Sequence, residues 1–184
     1  GFRPNRGCHD AIKELYKRLN NTKICYIVDA DIKGFFDHMK HEWIIKFLNL
    51  YIKDPNIIGL VKKYLKVGVL DGGELMMNEE GSAQGNIISP ILANIYMHNV
   101  LTLWYKFIIT KECKGDNFLI VYADDFVAGF QYKWEAENYY KLLKERMEKF
   151  GLQLEESKSR LLQSGAYIAR AKQKSGESIR LETF

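Results

Sequence analysis

Two places in this 184-residue chain concentrate carboxylates inside otherwise apolar sequence. In Val28-Asp29-Ala30-Asp31-Ile32-Lys33-Gly34-Phe35-Phe36-Asp37, Asp29 and Asp31 stand at the end of a strand-like run, although acidic residues are disfavoured in strands. Their i, i+2 spacing puts both on one face. In Tyr122-Ala123-Asp124-Asp125, two adjacent carboxylates occupy a tight turn between apolar strands. Alone, such a turn is ordinary turn chemistry. Together, two strands of one sheet that each end in carboxylates can clamp divalent metal. Phosphoryl and nucleotidyl transfer use that arrangement, with two ions about 4 Å apart serving the attacking and the leaving oxygen. Hard oxygen donors suit Mg2+, and Mn2+ can replace it. Cys8, Cys25 and Cys113 form no C-x-x-C pair and complete no zinc pattern with the four histidines.

Apolar periodicity names the elements that must hold these residues. Ile12, Leu15, Tyr16 and Leu19 share one face of a helix over 10–19, and 24–32 reads as a buried strand. Helices follow over 41–53 and 57–66, separated by Asp54-Pro55. Val67 to Leu70 and Glu74 to Met77 flank Asp71-Gly72-Gly73, a hairpin signal. The polar loop 81–86 feeds a helix opening at Ser89-Pro90, with Ser89 as N-cap and the stripe Ile91, Leu92, Ile95, Tyr96 and Leu103. Strands over 118–122 and 126–130 bracket the paired aspartates. A helix over 133–150, closed by Gly151, carries Ala136, Tyr139, Tyr140, Leu143, Met147 and Phe150. Short strands near 160–163 and 166–169 end the globular part. The order argues an α+β fold with a largely antiparallel sheet packed on helices.

Composition bounds the rest. With 47% hydrophobic and 13% aromatic residues, intrinsic disorder is excluded. No apolar run reaches the roughly 20 residues of a membrane span, and Gly-Phe-Arg-Pro-Asn-Arg is no signal leader. A reduced, cytoplasmic protein without membrane contact is expected. The net charge of +4 hides its distribution: residues 1–23 and 158–184 each carry +4, and the 134 residues between them carry −4. Basic ends around an acidic centre suit a polyanion bound beside a cation site.

The motifs carry a resemblance. Asp31-Ile32-Lys33-Gly34-Phe35-Phe36-Asp37 followed by Tyr122-Ala123-Asp124-Asp125 resembles the palm of reverse transcriptases, and more narrowly of group II intron reverse transcriptases, or maturases. Gly1-Phe2-Arg3-Pro4 with Cys8-His9-Asp10-Ala11-Ile12 resembles that family's fingers-to-palm motif. Gly81-Ser82-Ala83-Gln84-Gly85-Asn86 to Ser89-Pro90 is similar to its Gln-Gly loop and helix, with Ser82, Ala83 and Asn86 departing from the usual Thr-Pro-Gln-Gly-Gly. Leu152 to Ser159 is similar to its lysine-bearing motif.

The resemblance implies a palm with an antiparallel, ferredoxin-like sheet and part of the fingers. Residues 1–23 would be the fingers–palm junction and 24–184 mainly palm, with upstream fingers, thumb and maturase domain outside 1–184. It implies Asp31, the Ile32 carbonyl, Asp124 and Asp125 as metal ligands. It makes Asp31, Asp124, Asp125 and Lys158 catalytic, Lys158 by protonating the departing pyrophosphate. Asp29 shares the face of Asp31 and stays open as an alternative; Asp37 reads as a loop residue or helix-start cap. Phe36 would lie under the incoming sugar and exclude a ribose 2′-hydroxyl, leaving core packing to Phe35. Gln84 would contact the incoming nucleotide or its template base, Gly85 would permit close approach of the backbone there, and Arg3 and Arg6 would meet the nucleic acid. The implied partners are an intron RNA template, a DNA or RNA primer and dNTPs, and uncovered sheet edges leave room for a homodimer. The implied activity is RNA-directed DNA synthesis, with residues 1–184 alone nearly inactive. The alternative is an RNA-binding splicing factor that keeps the palm as a scaffold.

Overall fold

The computed structural model describes Gly1 and residues 4–66, 69–71, 74–76 and 88–163. Its elements are α1 (Cys8–Asn21), β1 (Tyr26–Ala30), α2 (Phe35–His38), α3 (His41–Tyr51), α4 (Pro55–Lys66), β2 (Val69–Asp71), β3 (Glu74–Met76), α5 (Ser89–Met97), two π-helical stretches (His98–Thr102 and Tyr105–Ile109), α6 (Thr110–Glu112), β4 (Asn117–Tyr122), β5 (Asp125–Phe130), α7 (Lys133–Lys149) and β6 (Arg160–Gln163). The expected α+β fold is present, with a four-stranded antiparallel sheet in the order β4-β5-β1-β6.

Strand alternation divides the core between the two sheet faces. Val28, Ala30, Phe126, Ala128 and Phe130 join the large core built with α3, α4, α5 and α7. Ile24, Ile27, Phe118 and Leu162 form a smaller cluster on the opposite face, which Leu15 and Leu19 of α1 cover in part. The expected stripe of α1 is thus only half used. Ile12 and Tyr16 stay exposed, because the sheet meets the helix along its Leu15–Leu19 edge alone.

The segment from Ser89 to Glu112 corrects two expectations. Ser89 is the first helical residue and Ile88 the cap, so the serine does not act as N-cap. The expected stripe holds in part, with Leu92 and Tyr96 buried and Ile95 and Leu103 half-buried, but beside it runs a row of another period. Ala93, Met97, Leu101, Tyr105 and Ile109 are all buried, a step of four residues, while Ile91 is exposed. An α-helix turns once per about 3.6 residues, so a four-residue step over-rotates. The i to i+5 bonding of π-helix turns more slowly, and the step under-rotates. Two π stretches in one helix cancel the drift and keep the row straight against the sheet.

The pairing of β2 with β3 agrees with the expected hairpin, Asp71 lying opposite Glu74. The expected strand 166–169 and the loop 81–86 lie outside the described residues.

Candidate active site

Strand β1 delivers Asp31 one residue past its end, and Gly34 then turns the chain. Its φ of +52° is a left-handed conformation that glycine adopts without steric cost. The turn starts α2 and sends its two aromatics apart. Phe35 is buried, with its ring edge-on to Phe36 and Tyr96, whereas Phe36 is half-buried and opens onto a cleft. The cleft encloses about 300 Å3, and Asp31, Ile32, Phe36, Asp124, Glu155 and Lys158 line it. Asp37, read from sequence as a loop residue or cap, stands third in α2 and also borders it.

The second carboxylate pair arrives on the β4–β5 hairpin. Tyr122 pairs with Asp125, leaving Ala123 and Asp124 as a two-residue turn. Ala123 has a φ of +58°, a conformation that costs a non-glycine residue about 1 kcal/mol or more. Strain of this kind persists where the surroundings over-determine the backbone, and here both flanking strands are paired throughout.

A third segment, 152–159, braces the first. The Lys33 amide donates to the Gln153 carbonyl at 2.9 Å, and the Glu155 amide donates to the Asp31 carbonyl at 2.9 Å. Ile32 and Leu154 form an antiparallel bridge, and the Asp31 amide donates a long bond of 3.4 Å to Ser159 Oγ. Glu155 in turn closes the turn that carries the lysine, its carbonyl accepting from the Lys158 and Ser159 amides at 3.1 and 2.9 Å. Lys158 Nζ ends 3.1 Å from Asp31 Oδ2. The whole segment is anchored where Tyr96 Oη donates to the Phe150 carbonyl at 2.6 Å, just after α7. The Glu155 and Ser159 braces were not read from the sequence; polar residues in a polar turn give no signal of what they hold.

Charge accumulates at this centre. Burial holds the Asp125 carboxyl above its ordinary range, and Asp124, Asp31 and Asp29 push it further up, with Lys158 opposing. Asp29 is raised by burial as well, Asp31 adding to it and Arg160 working against it. Asp29 lies in mid-ladder opposite Val127 and Arg160, whereas Asp31 lines the cleft. The Lys158 ammonium is strengthened by its bond to Asp31.

Among the described residues no group of three or more His, Cys, Asp or Glu side chains is placed to hold a metal ion. The donors nevertheless suit magnesium, which is bound by one or two carboxylates together with substrate phosphates. A lysine ammonium already seated on Asp31 marks the position as one that takes a cation. Asp31 and Asp124, which line the cleft, would hold the ion; Asp125, expected with them, is exposed and is not part of the cleft wall.

Of the other residues singled out by sequence, Arg6 lines a separate cleft on the far side of Ala123. Arg3, Gln84 and Gly85 lie outside the described residues.

Comparisons with known proteins bear on the family and the fold. A family model described as reverse transcriptase (RNA-dependent DNA polymerase) matches residues 1–175. The chain is 39% identical over 116 residues to the group II intron-encoded protein LtrA of Lactococcus lactis subsp. cremoris, covering 63% of this chain and 18% of LtrA. It is 41% identical over 101 residues to a 91 kDa protein in the cob intron of Schizosaccharomyces pombe, covering 54% of this chain and 12% of that protein. The chain therefore spans less than a fifth of these relatives. Among solved structures, telomerase from Candida tropicalis in complex with a TWJ fragment of telomeric RNA superposes with a TM-score of 0.65 at 16% identity, over 88% of this chain and 30% of that one. That likeness shows a shared fold.

Proposed function

The chain belongs to the reverse transcriptase (RNA-dependent DNA polymerase) family, and on that premise we propose that it is the palm-centred part of an RNA-directed DNA polymerase of the group II intron type. The observation that carries this is the meeting of Asp31, Phe36, Asp124 and Lys158, from three separate segments, around one cleft.

The reaction joins the primer 3′ oxygen to the α-phosphorus of a dNTP and breaks the bond from that phosphorus to pyrophosphate, in line. Magnesium held by Asp31 and Asp124, as two ions, would lower the pKa of the primer hydroxyl and neutralise charge on the phosphoryl oxygens. The chain's own groups do the rest. The half-buried Phe36 ring packs on Phe35 and forms a fixed wall against a ribose 2′-hydroxyl. Lys158 Nζ, protonated and poised at the cleft, gives its proton to the departing pyrophosphate oxygen. The template is RNA, the primer RNA or DNA, and the basic residues 1–23 supply phosphate contacts.

The test is primer extension by the full-length protein on matched RNA and DNA templates with dNTPs and Mg2+. Extension on the RNA template supports the reading. RNA binding without extension of any primer contradicts it and favours the splicing scaffold.

A further inference from the structure

Tyr96, on α5, is fully buried and lies outside the lining of the catalytic cleft, yet it touches two of the pieces that build it. Its ring stands edge-on to Phe35, with centroids 6.2 Å apart, and to Phe47 at 5.5 Å. Phe35 in turn stands edge-on to Phe36 at 5.4 Å. The ring thus backs the aromatic wall of the cleft. The hydroxyl serves another segment, donating to the Phe150 carbonyl at 2.6 Å.

Phe150 is the C-cap of α7, where the chain leaves the helix. The amides of Phe150, Gly151 and Leu152 all return to the Met147 and Glu148 carbonyls in the last turn. Gly151 makes the reversal at a φ of +78°, and a Cβ there would stand 2.5 Å from the Lys40 side chain. The Phe150 carbonyl itself is held from outside α7, by Tyr96. Three residues later the Gln153 carbonyl accepts the Lys33 amide at 2.9 Å, and the Glu155 amide then donates to the Asp31 carbonyl. Three residues span at most about 10 Å, so this stretch has little slack. A shift at Phe150 is passed on to Gln153, to Glu155 and to the turn that carries Lys158.

A buried carbonyl needs a donor, and folding alone accounts for that. Folding does not dictate where the donor is rooted. A hydroxyl from α5, behind the Phe35–Phe36 pair, also fixes the distance between the aromatic wall and the segment that delivers Lys158. Phe36 and Lys158 line the same cleft.

The geometry points to Tyr96 as a positioning residue for Lys158: its hydroxyl fixes the origin of segment 152–159, and that segment sets where the lysine stands in the cleft. This rests on the polymerase reading and adds to it a buried residue that meets no substrate.

The experiment measures incorporation of single dNTPs and rNTPs by the full-length protein on a primed RNA template. Tyr96→Phe removes the hydroxyl and keeps the ring. The expected result is a kcat for dNTP about tenfold lower, the scale of a catalytic group displaced by a fraction of an ångström, with KM within about twofold. The rNTP-to-dNTP ratio of kcat/KM should stay at its wild-type value, because the ring behind Phe35 remains. In a Lys158→Ala background the hydroxyl should no longer matter, so the double variant should match Lys158→Ala alone. Val61→Ala, buried in the same core on α4, controls for lost stability and should keep the wild-type rate. A normal kcat for Tyr96→Phe, a further tenfold loss in the double variant, or an equal loss in Val61→Ala overturns the proposal. A raised rNTP ratio in Tyr96→Phe does so too, since it assigns the hydroxyl to the sugar wall. An active wild type with additive variants strikes the positioning role alone; a wild type that extends no primer strikes the polymerase reading with it.

Discussion

Lys158 Nζ stands 3.1 Å from Asp31 Oδ2, on a turn whose first residue, Glu155, bonds the Asp31 carbonyl. The lysine and the aspartate are therefore held by one piece of backbone. The pair is largely solvent-exposed on the lysine side, and solvent screening leaves such exposed ion pairs little share in stability. Its conspicuous geometry is better explained by chemistry than by folding energy.

Lys158→Ala should accordingly slow single-nucleotide incorporation by about a hundredfold or more, the scale of a lost general acid, and leave the melting temperature nearly unchanged. Rapid-quench kinetics beside thermal melting check this. A variant that melts early and synthesises at the normal rate would remove the lysine from the mechanism.

The two neighbouring phenylalanines should separate cleanly. Phe35→Ala empties a buried site and should cost about 3–5 kcal/mol of stability. Phe36→Ala should cost less and raise incorporation of rNTP relative to dNTP, measured as the ratio of kcat/KM values. An unchanged ratio would show that Phe36 does not face the sugar.

Asp125 predicts a pH dependence. Its carboxyl is raised in the fold, by burial first and by Asp124, Asp31 and Asp29 after it. The folded state then binds a proton where the unfolded chain, with a carboxylate value near 3.9, has lost it. Stability from this group therefore falls as pH rises from the unfolded value through the raised one. Asp125→Asn should raise the melting temperature at pH 7, with the gain shrinking near pH 3. A lower melting temperature at pH 7 would contradict the charge crowding.

Much of this was legible in the residues. Alternation and spacing located β1, β4, β5 and α7, because buried strands and a long amphipathic helix print their periods directly. The carboxylates stood out because Asp29, Asp31, Asp124 and Asp125 interrupt apolar runs. Three things were hidden. The helix from Ser89 was read at 3.6 residues per turn, although the buried residues 93, 97, 101, 105 and 109 recur at four, a spacing that only π turns can straighten. The exposure of Ile12 and Tyr16 depends on which edge of α1 the sheet meets, a tertiary fact. The bracing of Asp31 by Glu155 and Ser159 joins residues over a hundred positions apart through backbone groups and one serine hydroxyl, which carry no sequence signature.

The central claim is that Asp124 is a catalytic carboxylate of a DNA polymerase. It is tested most directly by Asp124→Asn in the full-length protein, with primer extension on an RNA template measured beside affinity for the same RNA. The substitution keeps the turn's shape and removes the charge. Synthesis should fall to background while RNA affinity is unchanged. Synthesis at the wild-type rate, or loss of synthesis and RNA binding in equal measure, would contradict it.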